Sequence, residues 1–242
     1  MLVIVQARLS SSRLPGKVLR DLGGRPMLAW TLERVRAATQ VTKVVVATST
    51  EASDDPLAIF CAAQGVDCYR GSLENVAARY ALAARAEAVN AFIRITGDAP
   101  LIDPAIIDWA IKLYHAGDWD LVTNVLVRTF PKGQSAEVLR SSTFFQVCAE
   151  MSDPVHLEHV TPFYYENLGR FRIAAFTSGS DKGGVQLSVD TPEDFAVAEY
   201  LVRQSGGRPQ GWRELLALKD TMPMPSSNSS LENERSTKIG KR

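Results

Sequence analysis

The feature that most constrains this chain is its opening stretch, MLVIVQARLSSSRLPGKVLRDLGGR. The run from Met1 to Ala7 is strand-like, and it empties into a loop carrying Arg8, Arg13, Lys17, Arg20 and Arg25 against one acid, Asp21. In an open α/β sheet, ligands sit in the crevice beyond the carboxyl ends of the strands, so a cationic loop there is placed to hold an anion. Ser10, Ser11 and Ser12 add small hydroxyls, and Pro15-Gly16 fixes a turn. Arg13 then offers a bidentate fork and Lys17 a point charge, both suited to phosphate oxygens. A solvated turn with scattered charges is the plainer reading, and the spacing weighs against it.

The expected anion is a nucleoside triphosphate, held by a loop of neither familiar type. Val18 follows Gly16-Lys17 where a Walker A motif needs Ser or Thr, and no glycine stands at the required distance upstream. The Rossmann G-x-G-x-x-G is absent too. Gly23 and Gly24 read as a turn entering a helix that begins near Pro26.

The 242 residues suffice for one large domain with a sizeable core. Lys plus Arg balances Asp plus Glu at 27 each, so no global field favours nucleic acid or an anionic membrane. Cys61, Cys68 and Cys148 lack C-x-x-C spacing and read as reduced, mostly buried thiols, which fits a cytoplasmic protein. No stretch approaches the roughly 18 apolar residues of a membrane span, and the N-terminus carries no signal-like charged region. The expectation is a soluble, unprocessed chain.

Hydrophobic periodicity predicts a helix from Pro26 to about Ala38, a strand over Lys43 to Ser49, a short helix over Asp54 to Ala63 and a strand over Val66 to Tyr69. Ser72 is placed to cap a helix in which Leu73, Val76, Tyr80 and Ala83 form the apolar stripe, with Arg79 and Arg85 on the polar side. Ala91 to Thr96 is the next strand, stopping at Gly97-Asp98-Ala99-Pro100 before a helix over Pro104 to His115. Further strands are expected at Asp120 to Val127, Glu137 to Leu139, Arg172 to Phe176 and Val185 to Val189. Helices are expected at Ser142 to Met151, Leu157 to Asn167, from Thr191 or Asp190 to Arg203, and around Trp212 to Leu218. The alternation argues for an α/β fold, a three-layer Rossmann-like arrangement around a mostly parallel sheet. The irregular middle is expected to act as a lid or as a homodimer contact. Residues 1–219 form the domain, and 220–242, rich in Pro, Ser, Asn and charge, read as a disordered tail.

Asp98 and Asp190 each follow a strand, and parallel strands would bring both to one rim. Two carboxylates there can hold a Mg²⁺ that completes its shell with substrate phosphates. Singly, each reads as a helix cap; together with the cationic loop they point to displacement at phosphorus, a chemistry of positioning and charge neutralisation. No G-x-S-x-G elbow or H-E-x-x-H is present. His156 and His159 lack a third metal ligand and read as exposed residues of a substrate lid. Trp30, Trp109, Trp119 and Trp212 read as core or interface anchors.

Five motifs in order, ARLSSSRLPGK, RGSLENV with ARY, RITGDAPLIDP, EHVTPF and SVDTPEDF, resemble the cytidylyltransferase-like proteins of the spore-coat polysaccharide biosynthesis type, relatives of 3-deoxy-manno-octulosonate and acylneuraminate cytidylyltransferases. The resemblance covers about residues 1–205. It implies a nucleotide-diphospho-sugar transferase fold and transfer of CMP from CTP to a sugar acid with release of pyrophosphate. By motif, Arg8, Arg13 and Lys17 would hold the triphosphate with Ser12 and Gly97 beside it, and Asp98 and Asp190 would hold Mg²⁺. Ala7, Arg70, Gly71 and Ser72 would lie near the base or ribose, and Glu137 and His159 would face the sugar. YRGSLENV is shorter than the matching segment of the octulosonate enzymes, so their acceptor does not transfer directly. A glycosyltransferase using a finished nucleotide sugar and a non-catalytic nucleotide-binding protein are the competing functions; three loop cations favour a triphosphate over the first, and the paired carboxylates argue against the second.

Overall fold

Val3, Val5, Val44, Val46, Ile93 and Ile95 turn to one side of the central strands, while Leu2, Ile4, Val45, Ala47 and Phe92 turn to the other, and all are buried. That period of two, apolar on both faces, dictates a sheet covered by helices on each side. The computed structural model describes residues 1–208 and 210–223 and has this architecture. β1 (Leu2–Gln6) lies between β2 (Lys43–Ser49) and β4 (Ala91–Thr96), with β3 (Asp67–Gly71) outside β2. These four strands are parallel, and their register pairs Gln6 with both Ala47 and Thr96. Beyond β4 come β6 (Glu137–Arg140), β5 (Leu121–Thr123) and β7 (Ile173–Ala175), with β6 antiparallel to both its neighbours.

One face is covered by α1 (Met27–Ala37), α2 (Asp55–Ala63), α4 (Pro104–His115), α8 (Pro192–Gln204) and α9 (Trp212–Asp220). The other is covered by α3 (Val76–Ala86), α5 (Ser141–Glu150) and α7 (Pro162–Glu166). The helix starts are written locally. The Thr191 hydroxyl accepts from Asp194 N while the Asp194 carboxylate accepts from Thr191 N, a capping box that fixes the chain just after Asp190. Asp103 caps α4 and also accepts from Trp212 N at 3.0 Å, tying the start of α9 to the start of α4.

Several sequence expectations change. α3 is capped by Asn75, whose side chain accepts from Ala78 N, and Ser72 instead accepts from Asn75 N. Arg79 is fully buried, its Nη1 donating to the carbonyls of Ser72 and Leu73. The strand expected to reach Val127 stops at Thr123 because the Asn124 side chain takes over, donating to Gln134 O and accepting from Ala136 N. Val185 to Val189 is no ladder strand; it pairs with one residue, Lys132, through Lys132 N to Val185 O and Leu187 N to Lys132 O. The helical stretch from Leu157 is two pieces, α6 (Pro154–His159) and α7, broken at Val160, whose φ is 70°. Of the stretch 220–242 expected to be a disordered tail, the first residues are ordered: Asp220 ends α9 and Thr221 accepts from the Tyr200 hydroxyl at 3.1 Å. Residues 224–242 lie outside the described residues.

Candidate active site

The loop leaving β1 is pinned at its start by Asp54, a fully buried carboxylate that accepts from Leu9 N at 2.7 Å, Thr48 Oγ1 at 3.1 Å and Ser49 N at 3.2 Å. Its side chain makes no helix-capping bond at the start of α2 and anchors this loop instead. Gly16 N donates back to Leu9 O, closing the loop, and a short 3₁₀ turn over Lys17–Leu19 follows.

Lys17 is only 7 % exposed. Its ammonium donates to Val189 O at 2.6 Å, Asp190 Oδ1 at 3.0 Å and Asp98 Oδ2 at 3.4 Å. One cation thus joins the loop, the end of β4 and the entry to α8, and the two acids predicted to share a rim do share it. Arg13, with 64 % of its side chain exposed, pairs with the same Asp190 oxygen at 3.0 Å. Asp98 is also fixed through its carbonyl, which accepts from Val189 N at 2.8 Å. Gly97 makes the convergence sterically feasible, since a Cβ there would stand 2.9 Å from Ala7 Cβ and 3.0 Å from Gln6 O.

These elements enclose a cleft of about 310 Å³. Among the predicted residues, Ala7, Arg8, Ser12, Arg13, Lys17, Gly97, Asp98, His159 and Asp190 line it. His159 comes from α6, as does Glu158, which pairs with Arg8 at 2.9 Å. Arg70, Gly71 and Ser72 do not line it. The Arg70 guanidinium donates to Ser49 O, Glu51 O and Asp55 Oδ1, bracing the turn after β2.

Glu137 does not line the cleft either, being 1 % exposed on β6. It accepts from Arg94 Nη1 at 2.7 Å, Thr161 Oγ1 at 3.3 Å and Thr123 Oγ1 at 3.2 Å, and from the Tyr165 hydroxyl. Burial and the neighbouring carboxylate push the Tyr165 phenol far up, so it stays a neutral donor. Arg94 itself lines the cleft beside Thr96. Sequence reading missed it, though a charged residue inside the buried strand AFIRIT demands a partner and was the signal.

Two carboxylates and no third His, Cys, Asp or Glu come together here among the described residues. An all-oxygen pair of this kind suits a hard cation that keeps waters and takes further ligands from phosphate, and does not suit zinc. The neutralisation already present, one ammonium between two carboxylates, marks the spot as one where positive charge is held. A cationic loop, a carboxylate pair and a cleft at the ends of parallel strands define a site for displacement at a phosphate.

The fold and site are those of a nucleotidyltransferase of the nucleotide-diphospho-sugar transferase type. A cytidylyltransferase from Leptospira borgpetersenii superposes with a TM-score of 0.86 over 93 % of this chain and 98 % of its own, at 27 % identity. The spore coat polysaccharide biosynthesis protein SpsF of Bacillus subtilis is 31 % identical over 233 residues, spanning 92 % of this chain and 95 % of that protein. A 3-deoxy-manno-octulosonate cytidylyltransferase from Tolumonas auensis is 42 % identical over 114 residues, 43 % of this chain and 41 % of that protein. The cytidylyltransferase family model matches residues 2–217, and the chain belongs to that family.

Proposed function

We propose that this cytidylyltransferase moves CMP from CTP onto a sugar acid, releasing pyrophosphate, with Mg²⁺ held by Asp98 and Asp190, in the assembly of a surface polysaccharide. The carrying observation is Lys17, which joins the phosphate-type loop to both carboxylates. The polysaccharide context and the sugar acid are supported by the names of the two relatives, SpsF and the octulosonate enzyme.

In the proposed reaction an acceptor hydroxyl oxygen bonds to the α-phosphorus, the bond from that phosphorus to the bridging oxygen breaks, and pyrophosphate leaves with its electron pair while the hydroxyl proton passes to solvent. Arg8, Arg13 and Lys17 hold the triphosphate and neutralise charge on the departing group, with Ser12 and Gly97 against it. Mg²⁺ held by Asp98 and Asp190 would supply further neutralisation of the charge that develops on the leaving group. Ala7 lies on the base or ribose side, with Arg70, Gly71 and Ser72 shaping that edge from behind. His159 faces the acceptor, and Glu137 acts on it through Arg94.

The test is incubation with CTP, Mg²⁺ and either 3-deoxy-manno-octulosonate or N-acetylneuraminate, read as pyrophosphate release and its loss on chelation. A thermal-shift panel of CTP, UTP, ATP and GTP accompanies it. Preference for a purine, or sugar transfer from a nucleotide sugar without pyrophosphate, overturns the reading.

A further inference from the structure

A second cavity, of about 250 Å³, opens on the far side of Asp98 and shares Thr96 and Asp98 with the first. Its remaining lining is Arg128, Lys132, Gly133, Ser135 and Ser188. Two cations and two hydroxyls thus face a space that adjoins the phosphate cleft, separated from the phosphate loop by the Asp98–Lys17 pair.

Neither Arg128 nor Lys132 forms an ion pair among the described residues, whereas Arg8, Arg13 and Lys17 all do. Arg128 makes one long contact, Nη1 to Ser135 Oγ at 3.4 Å. The segment presenting them is nonetheless held firmly. Lys132 is bonded through both N and O to the Val185–Leu187 segment, and Thr129 O accepts from Lys182 N at 2.9 Å. Gln134, fully buried, accepts from Asp103 N at 2.8 Å and donates to Leu101 O at 2.7 Å. Gly133 sits at φ +88° with its Cα against the Ser188 backbone, where a Cβ would lie 2.5 Å from Ser188 N. A braced loop that carries two uncompensated cations into a cavity is pre-organised for an anion.

We propose that Arg128 and Lys132 form the subsite for the anionic group of the acceptor, a carboxylate or phosphate, and so set acceptor specificity. This rests on the proposed cytidylyl transfer. The arrangement separates two negative ligands: the triphosphate lies over the Arg13–Lys17 loop and the acceptor anion over the Arg128–Lys132 loop. The acceptor hydroxyl is left to approach the α-phosphorus between them. A planar guanidinium fits a carboxylate or phosphate in two-point fashion, with the ammonium adding a second charge.

The experiment compares wild type with Arg128→Ala/Lys132→Ala, using CTP with 3-deoxy-manno-octulosonate in one arm and glucose 6-phosphate, whose anomeric hydroxyl stays free to react, in the other, which separates carboxylate from phosphate. The expected result is a KM for the accepted substrate raised at least tenfold, with KM for CTP and the CTP-induced thermal shift unchanged. If neither compound is turned over, inorganic phosphate is titrated calorimetrically into the CTP-saturated proteins; binding to wild type that the double variant loses supports the subsite. Acceptor KM within twofold of wild type, equal or absent phosphate binding by the two proteins, or turnover of a neutral acceptor only, overturns it. Wild type that shows no CTP-induced shift instead overturns the cytidylyl reading, and the subsite with it.

Discussion

Lys17 Nζ and Asp190 Oδ1 stand 3.0 Å apart, joining residues separated by almost the whole domain, and Asp98 Oδ2 lies 3.4 Å from the same nitrogen. Lys17→Met would leave the two carboxylates facing each other with only the largely exposed Arg13, on Asp190, as counterion. Both are about a quarter exposed, so solvent screens the repulsion, and the expected loss is about 1–2 kcal/mol rather than the larger cost of a buried pair. Melting temperature should fall, and millimolar Mg²⁺ should restore more of it in the variant than it adds to wild type. Equal Mg²⁺ shifts in both proteins would show that the carboxylates do not hold the ion.

Arg94 and Glu137 make a second ion pair, this one with the acid wholly enclosed. Glu137→Gln strands the guanidinium, and removing one partner of a buried pair costs about 3 kcal/mol or more. The KM for acceptor should rise with it, because Arg94 is no longer aimed into the cleft. The double variant Arg94→Met/Glu137→Leu should recover much of the melting temperature but not the acceptor KM. Recovery of both would reduce the pair to a packing element.

How much of this was readable beforehand depends on where each residue's partner lies. β1, β2 and β4 were legible because a strand buried on both faces must be a continuous apolar run, and Asp98 and Asp190 because acids just past such strands share a rim by topology alone. Arg79 was misread from charge. It falls three residues after Val76 and four before Ala83, so helical spacing already placed it on the buried stripe. Glu137 was expected to face the sugar, and its enclosure could not be read, since Arg94, Thr123 and the Thr161–Tyr165 stretch reach it from three separate segments. Arg128 and Lys132 gave no signal: the brace that makes their loop rigid comes from backbone bonds to a segment expected to be a strand.

Acid stability offers a test at the other edge of the sheet. Asp120 accepts from Arg172 N at 2.9 Å and Thr143 Oγ1 at 2.8 Å. Burial alone would raise its pKa, but these bonds and the guanidiniums of Arg172 and Arg140 outweigh it and hold the carboxyl below the usual carboxylate range. A depressed folded pKa stabilises the fold above the unfolded value, about 3.9, and that contribution disappears as pH falls through the folded value. Asp120→Asn should therefore be less stable than wild type at pH 7, with the gap in denaturation midpoint closing below about pH 4. A gap independent of pH would assign the loss to packing.

The last prediction separates the work of the carboxylates from that of the loop. If Asp98 and Asp190 hold the cation that neutralises the leaving pyrophosphate, their charge matters most in the transition state. Asp98→Asn or Asp190→Asn should then lower kcat by on the order of 10², about 3 kcal/mol of lost electrostatic stabilisation. Arg13 is largely exposed and in the proposed reaction meets phosphate in the ground state as well, so Arg13→Ala should chiefly raise KM for CTP and leave melting temperature nearly unchanged. Asp190 immediately precedes the capping box of α8, so an effect on the helix must be kept apart from one on the site. Since Thr191 and Asp194 supply that cap without it, Asp190→Asn should preserve the helix and the circular dichroism while losing turnover. An Asp190→Asn protein with ordinary kcat and unaltered Mg²⁺ dependence would mean that Arg13 and Lys17, rather than a metal, are what this carboxylate exists to hold.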